Sequence, residues 1–180
     1  FFFKQKTAYE IPKRDWSSDV CSSDLGSAGE LEVRGPNVFT QYWQRPEETR
    51  EAFRDGWFRT GDVAADEAGS IRLLGRTSID IIKTGGFKVS ALEIEAVLRD
   101  HPSVAECAVV GLPDDEWGEK VAAAIEVQPS AALDLSELQG WAKTKLAPYK
   151  LPRALRLVEA LPRNAMGKVI KPEVRALFSG

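Results

Sequence analysis

Two hydrophobic periods alternate along this chain. Glu30-Leu31-Glu32-Val33-Arg34 changes sign at every residue and predicts a strand, closed by Gly35-Pro36. Pro46 to Phe53 opens on a proline with acids in its first turn, which predicts a short helix. Asp55-Gly56 is a turn, Trp57 to Thr60 a strand, and Asp66 to Ser70 a hairpin turn into the strand Ile71 to Leu74. An apolar run, Ile79 to Ile82, leads through Gly85-Gly86 to Ser90 and Glu93, a capping box that starts a helix. That helix carries Ala91, Ile94, Val97 and Leu98 on one stripe and acids on the other. Val104 to Val110 and Val121 to Val127 read as strands, and the polar stretch Gly111 to Glu119 between them as irregular chain. Leu135, Leu138, Ala142 and Leu146 recur at helical spacing behind Asp134 and Glu137 and end at Ala147 to Lys150. Ala154 to Val158 is a strand, Leu161 to Lys168 a turn, and a last helix starting at Pro172 carries Val174 and Leu177.

The fold class that follows is α+β. A small, mostly β subdomain over residues 26–75 is followed by a compact α+β domain over 76–180, with the boundary between Gly75 and Asp80.

Composition narrows the function classes. The 180 residues are 43% hydrophobic and 28% charged with a net charge of −3, so no basic field points to nucleic acid. No apolar run approaches the ~20 residues that span a bilayer. Cys21 and Cys107 lack metal-ligand spacing, and no metal site is expected. Cys107, inside an apolar run, reads as a small core residue, and His101 before Pro102 as a helix-exit residue.

Residues 1–25 read differently from the rest. Phe2 to Ile11 and Arg14 to Leu25 back-translate into strings similar to sequencing-adapter oligonucleotides. The expectation is a non-native, disordered leader fused to a truncated gene, so Trp16 and Cys21 carry no functional weight.

Candidate chemistry gathers in three places. In Gly75 to Glu95, a charged turn holding Arg76 and Asp80 precedes an apolar run, and Gly85-Gly86 then permits a sharp turn or a close ligand approach. Lys88 follows. In Arg59-Thr60-Gly61-Asp62, the aspartate stands where a strand ends at a glycine; its carboxylate can cap the turn or accept two hydrogen bonds from adjacent ribose hydroxyls. Lys168 follows Gly167 on a loop of small and polar residues, as a surface lysine or as a cation that can reach a neighbouring cleft.

The string Ile82-Lys83-Thr84-Gly85-Gly86-Phe87-Lys88, running into Ala91-Leu92-Glu93, resembles the hinge and glycine loop of the adenylate-forming enzymes. Its wording looks most like the malonyl-CoA synthetase branch. The Asp62 segment resembles that superfamily's ribose-binding motif, and Gly167-Lys168 its catalytic-lysine motif, with Asn164-Ala165-Met166 in place of a more usual Thr-Pro-Ser. The resemblance implies a two-step ligase. A carboxylate attacks MgATP to give acyl-adenylate and pyrophosphate; CoA thiol then displaces AMP.

In that scheme the C-terminal domain rotates between two poses. Lys168 is catalytic in adenylation; Asp62, Arg76 and Lys88 contact nucleotide; Gly85 and Gly86 line a pantetheine tunnel; Ser78 or Asp80 is the hinge pivot. ATP, Mg2+ and CoA are the implied co-substrates, with no tightly bound cofactor. The implied partner is a large N-terminal domain of the same enzyme, carrying the phosphate loop and carboxylate pocket that residues 26–180 lack, so this piece alone is expected to be inactive. The expected compartment is intracellular: the cytoplasm, or the mitochondrial matrix. An adenylation module that loads a carrier protein and a non-catalytic interaction domain are the alternatives. Asp62, Arg76, Gly86 and Lys168 together argue against the last, since a scaffold needs none of them.

Overall fold

The computed structural model describes residues 28–179, apart from 68 and 69, as two sheets with four helices. The readings of residues 1–25 lie outside the described residues.

The first sheet is antiparallel. β1 (Gly29–Val33) and β2 (Phe53–Arg54) both pair with β3 (Trp57–Glu67), and β4 (Ser70–Arg76) pairs with β3 on the side opposite β1. α1 (Pro46–Ala52) caps one end, with Pro46 at its first turn. Phe39, Tyr42, Phe53 and Phe58 cluster there in tilted and edge-on pairs at centroid distances of 4.8–5.5 Å. β3 is longer than its sequence pattern predicts. Gly61, at φ 75°, does not end the strand; β3 turns at a bulge after Val63 and runs on beside β4. Asp62 therefore lies within a strand rather than at its exit.

The second sheet holds β5 (Ile81–Thr84), β6 (Phe87–Ser90), β7 (Val104–Asp114), β8 (Gly118–Val127) and β9 (Ala154–Val158). β8 is the spine. β7 runs antiparallel along its length, β9 runs parallel beside Ala122–Glu126, and β5 meets it at Gly118. Both faces of this sheet are covered, which is why β7 and β8 read as continuous rather than alternating apolar runs. Cys107, Val109, Val121, Ala123 and Ile125 pack beneath α2 (Ala91–Arg99) and α3 (Leu135–Ala142). Ala108, Val110, Ala122 and Ala124 face Leu161 and Val174 of α4 (Lys171–Ala176).

Gly111 to Glu119 is not irregular. The ladder continues from Gly111 opposite Val121 to Asp114 opposite Gly118, and the Asp114 carboxylate closes the tip by accepting the N–H groups of Glu116 and Trp117.

The caps are where the sequence places them. Ser90 accepts the Glu93 N–H at 3.2 Å and Asp134 the Glu137 N–H at 2.8 Å. Cys107 is buried, and burial pushes its thiol up to about 12. His101 is buried too, accepting the Ser103 N–H at Nδ1 and meeting Trp141 edge-on.

One helix face departs from expectation. The sequence pattern places the acids of α2 off its apolar stripe, yet Glu95 is 3% exposed. Ala91, Ile94, Glu95 and Leu98, the buried residues of α2, stand at i, i+3, i+4 and i+7, a complete inward stripe. Its carboxylate is held by the Val109 N–H at 2.8 Å, Lys171 at 2.6 Å and Arg99 at 3.4 Å.

Candidate functional site

The two sheets meet at the turn from Arg76 to Asp80. Asp80 belongs half to each. Its N–H donates to the Arg76 carbonyl at 2.8 Å, and its own carbonyl accepts the Ala91 N–H at 2.7 Å from α2. Its carboxylate closes the turn: Oδ2 accepts the Arg76 N–H at 2.9 Å, and Oδ1 lies 3.1 Å from Lys171. Leu74 and Ile81 pack together across the joint, and the Ser90 hydroxyl donates to the Leu74 carbonyl at 2.6 Å. Ser78 is exposed on the turn.

Gly75 makes this geometry possible. It sits at φ 118°, and a Cβ there would lie 2.4 Å from the Asp80 Cβ. A Gly75→Ala substitution is expected to destabilise the chain by about 1–3 kcal/mol, through overpacking and a disfavoured backbone. Chemical unfolding checks this; an unchanged midpoint would mean the turn is slack.

Asp62 and Arg76 are brought together. They face each other in the β3–β4 register, and Arg76 Nε donates to Asp62 Oδ1 at 3.1 Å. Thr60 fixes the approach by accepting the Asp62 N–H through its hydroxyl at 3.1 Å, and the Thr77 N–H bonds the Gly61 carbonyl. Arg76 is largely exposed and Asp62 less so, so the pair offers a carboxylate edge and a guanidinium on one surface.

Gly85 and Gly86 form the two-residue turn of the β5–β6 hairpin, at φ 57° and 83°. Two positive φ angles define a type I′ turn, which asks for glycine in its own right. Their side-chain space differs. A Cβ on Gly85 would press on the Trp117 ring at 3.0 Å, whereas one on Gly86 meets nothing within 4 Å. Trp117 holds the Gly85 N–H through its carbonyl at 2.9 Å, and the Arg153 guanidinium stacks on its ring at 3.6 Å. Sequence reading missed this aromatic and cationic platform, because Trp117 and Arg153 lie 36 residues apart in the chain. Lys88 is exposed on β6 opposite Lys83.

Lys168 lies on a separate turn and makes no hydrogen bond or ion pair with Asp62, Arg76 or the diglycine among the described residues. Its loop is built around Asn164, whose side chain accepts the N–H groups of Met166 at 3.0 Å and Lys168 at 2.9 Å. The Asn164 N–H in turn bonds the Lys168 carbonyl at 2.9 Å. Gly167 takes φ 78°, and Arg163 bonds its carbonyl. The loop backbone is pinned and the lysine side chain exposed, so a long excursion of Lys168 requires the whole sheet to move.

Residues 93–168 match the AMP-binding enzyme C-terminal domain. The chain is 55% identical over 147 residues to a mitochondrial malonate–CoA ligase, ACSF3, of Mus musculus; the match covers 81% of this chain and 25% of that protein. ATP-bound MatB from Rhodopseudomonas palustris is similar at 41% identity with a TM-score of 0.78, covering 85% of this chain and 31% of that one. Against the apo form of MatB the score is 0.63 at the same coverage. The chain thus spans about a quarter to a third of these relatives' length. No helix among the described residues is long and apolar enough to cross a membrane, and none of their His, Cys, Asp or Glu side chains form a metal-holding cluster.

Proposed function

We propose that this chain is the C-terminal part of an AMP-forming acid–thiol ligase that converts malonate, or a closely related short acid, to its adenylate and then to its CoA thioester. The observation that carries the reading is the joint at Asp80, whose N–H is bonded to Arg76 at the end of the first sheet and whose carbonyl accepts the Ala91 N–H at the start of α2, the helix packed on the second. Rotation about Asp80 re-aims the second sheet without breaking either bond, which is what two successive chemistries at one cleft require. A pivot at Ser78 would sacrifice the Asp80–Arg76 bonds, so Asp80 is the better pivot. The malonate assignment rests on the ligase of Mus musculus.

In this reading residues 26–75 end a large N-terminal domain and 76–180 form the mobile one. Asp62 accepts the ribose hydroxyls, Arg76 reaches ribose or phosphate, and Lys88 is a further phosphate contact. Lys168 meets the charge that develops on the α-phosphate. Gly85 and Gly86 border the pantetheine path, with the Trp117–Arg153 platform beside it. Mg2+ enters with ATP rather than through a site of this segment. The higher likeness to ATP-bound than to apo MatB supports an adenylation-like arrangement of the two sheets. The expected compartment remains the cytoplasm or the mitochondrial matrix.

The test is the enzyme with its upstream domain restored. It is expected to release pyrophosphate from ATP in response to malonate and to form the thioester only when CoA is added. Acylation of a carrier protein in place of CoA, or no response to any short dicarboxylate, would overturn the assignment.

A further inference from the structure

Lys171, the first residue of α4, is a largely buried cation with three partners. Its ammonium lies 2.6 Å from Glu95 Oε1, 3.0 Å from the Val109 carbonyl and 3.1 Å from Asp80 Oδ1. The side chains of Lys171, Asp80 and Glu95 are 11%, 14% and 4% exposed, so water screens these charges weakly. Two of the partners, Glu95 and Val109, belong to the second sheet and its helix and move with Lys171. Asp80 does not.

The Asp80 carboxylate is tied upstream, because its other oxygen holds the Arg76 N–H. Rotation about the Asp80 Cα–C bond carries β5 and everything after it, while the Asp80 N–H and side chain stay with Arg76. Of the three contacts to Lys171, that rotation breaks only the one to Asp80. Glu95 then still neutralises the ammonium, so the contact can open without leaving a poorly solvated cation unpaired. Lys171 also stands three residues after Lys168, and the intervening Ile170 N–H is bonded to the Pro162 carbonyl at 2.9 Å. A pull on Lys171 is therefore transmitted to the Lys168 turn.

We propose that the Asp80–Lys171 ion pair is a latch across the hinge, holding the second sheet in the pose described here, and that Lys171 is a positioning residue for Lys168. This rests on the reading of Lys168 as the adenylation lysine. The latch stabilises one pose only, so its loss shifts the balance between half-reactions rather than lowering both alike.

The experiment compares Asp80→Asn, Lys171→Met, the double variant and Lys168→Ala in the full-length enzyme. Each half-reaction is measured separately, the second from supplied acyl-adenylate, with thermal unfolding alongside. Asp80→Asn keeps an oxygen for the Arg76 N–H and leaves Lys171 paired with Glu95, so it is the variant least exposed to misfolding. The ratio of adenylation to thioester rate is expected to fall about tenfold in each single variant, with no further fall in the double. A ratio within about twofold of the parent in Asp80→Asn would refute the latch, whatever the melting temperature does. Lys168→Ala separates the two levels. If it loses adenylation while the Asp80→Asn ratio stays put, the latch alone falls; if it adenylates normally, the reading beneath falls and the latch with it.

Discussion

Replacing Lys168 with alanine in the full-length enzyme is expected to slow adenylate formation by roughly two to three decades and to leave thioester formation from supplied acyl-adenylate near the parental rate. In the first step negative charge builds on the α-phosphate inside a cleft from which water is largely excluded. Loss of one preorganised donor there costs about 3–4 kcal/mol. The fold gives little reason for a confounding loss of stability. The Lys168 backbone is held at both its N–H and its carbonyl by Asn164, and the exposed side chain has no ion pair among the described residues. An exposed lysine of this kind changes stability by no more than about 0.5 kcal/mol when truncated. Lys168→Arg is not expected to rescue, because a planar fork does not reproduce a point contact. Stopped-flow pyrophosphate release and single-turnover thioester formation report the two steps separately. Normal adenylation in Lys168→Ala would reduce this residue to a surface lysine.

Gly86→Val is expected to act in the opposite sense. The folded chain has room for the side chain, since a Cβ at Gly86 meets no other atom within 4 Å. The structural cost comes from φ at 83°, which a β-branched residue adopts with strain of about 1–3 kcal/mol, within what a folded domain tolerates. Under the proposed function, what suffers is passage of pantetheine beside the turn. Thioester formation is expected to fall at least about tenfold, while adenylation stays within about threefold of the parent. Gly85→Val is a poorer probe, because its Cβ would strike the Trp117 ring. Equal loss of both half-reactions in Gly86→Val would point to misfolding and remove the tunnel assignment.

The proposed latch and the glycine turn lie at opposite ends of β5. Asp80 precedes its first residue and Gly85 follows its last, so one short strand connects the proposed pivot to the turn. In that proposal, whatever angle Asp80 adopts is delivered to Gly85-Gly86 within four residues, with few intervening torsions to widen it.

Much of this was legible locally. The diglycine turn, the Ser90 and Asp134 caps and the apolar runs of β7 and β8 are written in neighbouring residues, because turns, caps and strand runs depend on chemistry within a few positions. The Asp62, Arg76 and Lys168 candidates came from motifs, and the fold adds that Asp62 and Arg76 touch while Lys168 stands apart. Long-range pairing decided the rest. Nothing near Gly111 to Glu119 says that it is a ladder, since its partner strand supplies the order. Gly61 looked like a strand end until β4 claimed the residues beyond it. Glu95 stood at a buried position of its helix all along, but an acid there is tolerable because the Val109 N–H, Arg99 and, from 76 residues away, Lys171 lie against it. Periodicity can show which way a side chain points. Whether a charge can remain there depends on the cation that the tertiary fold brings to it.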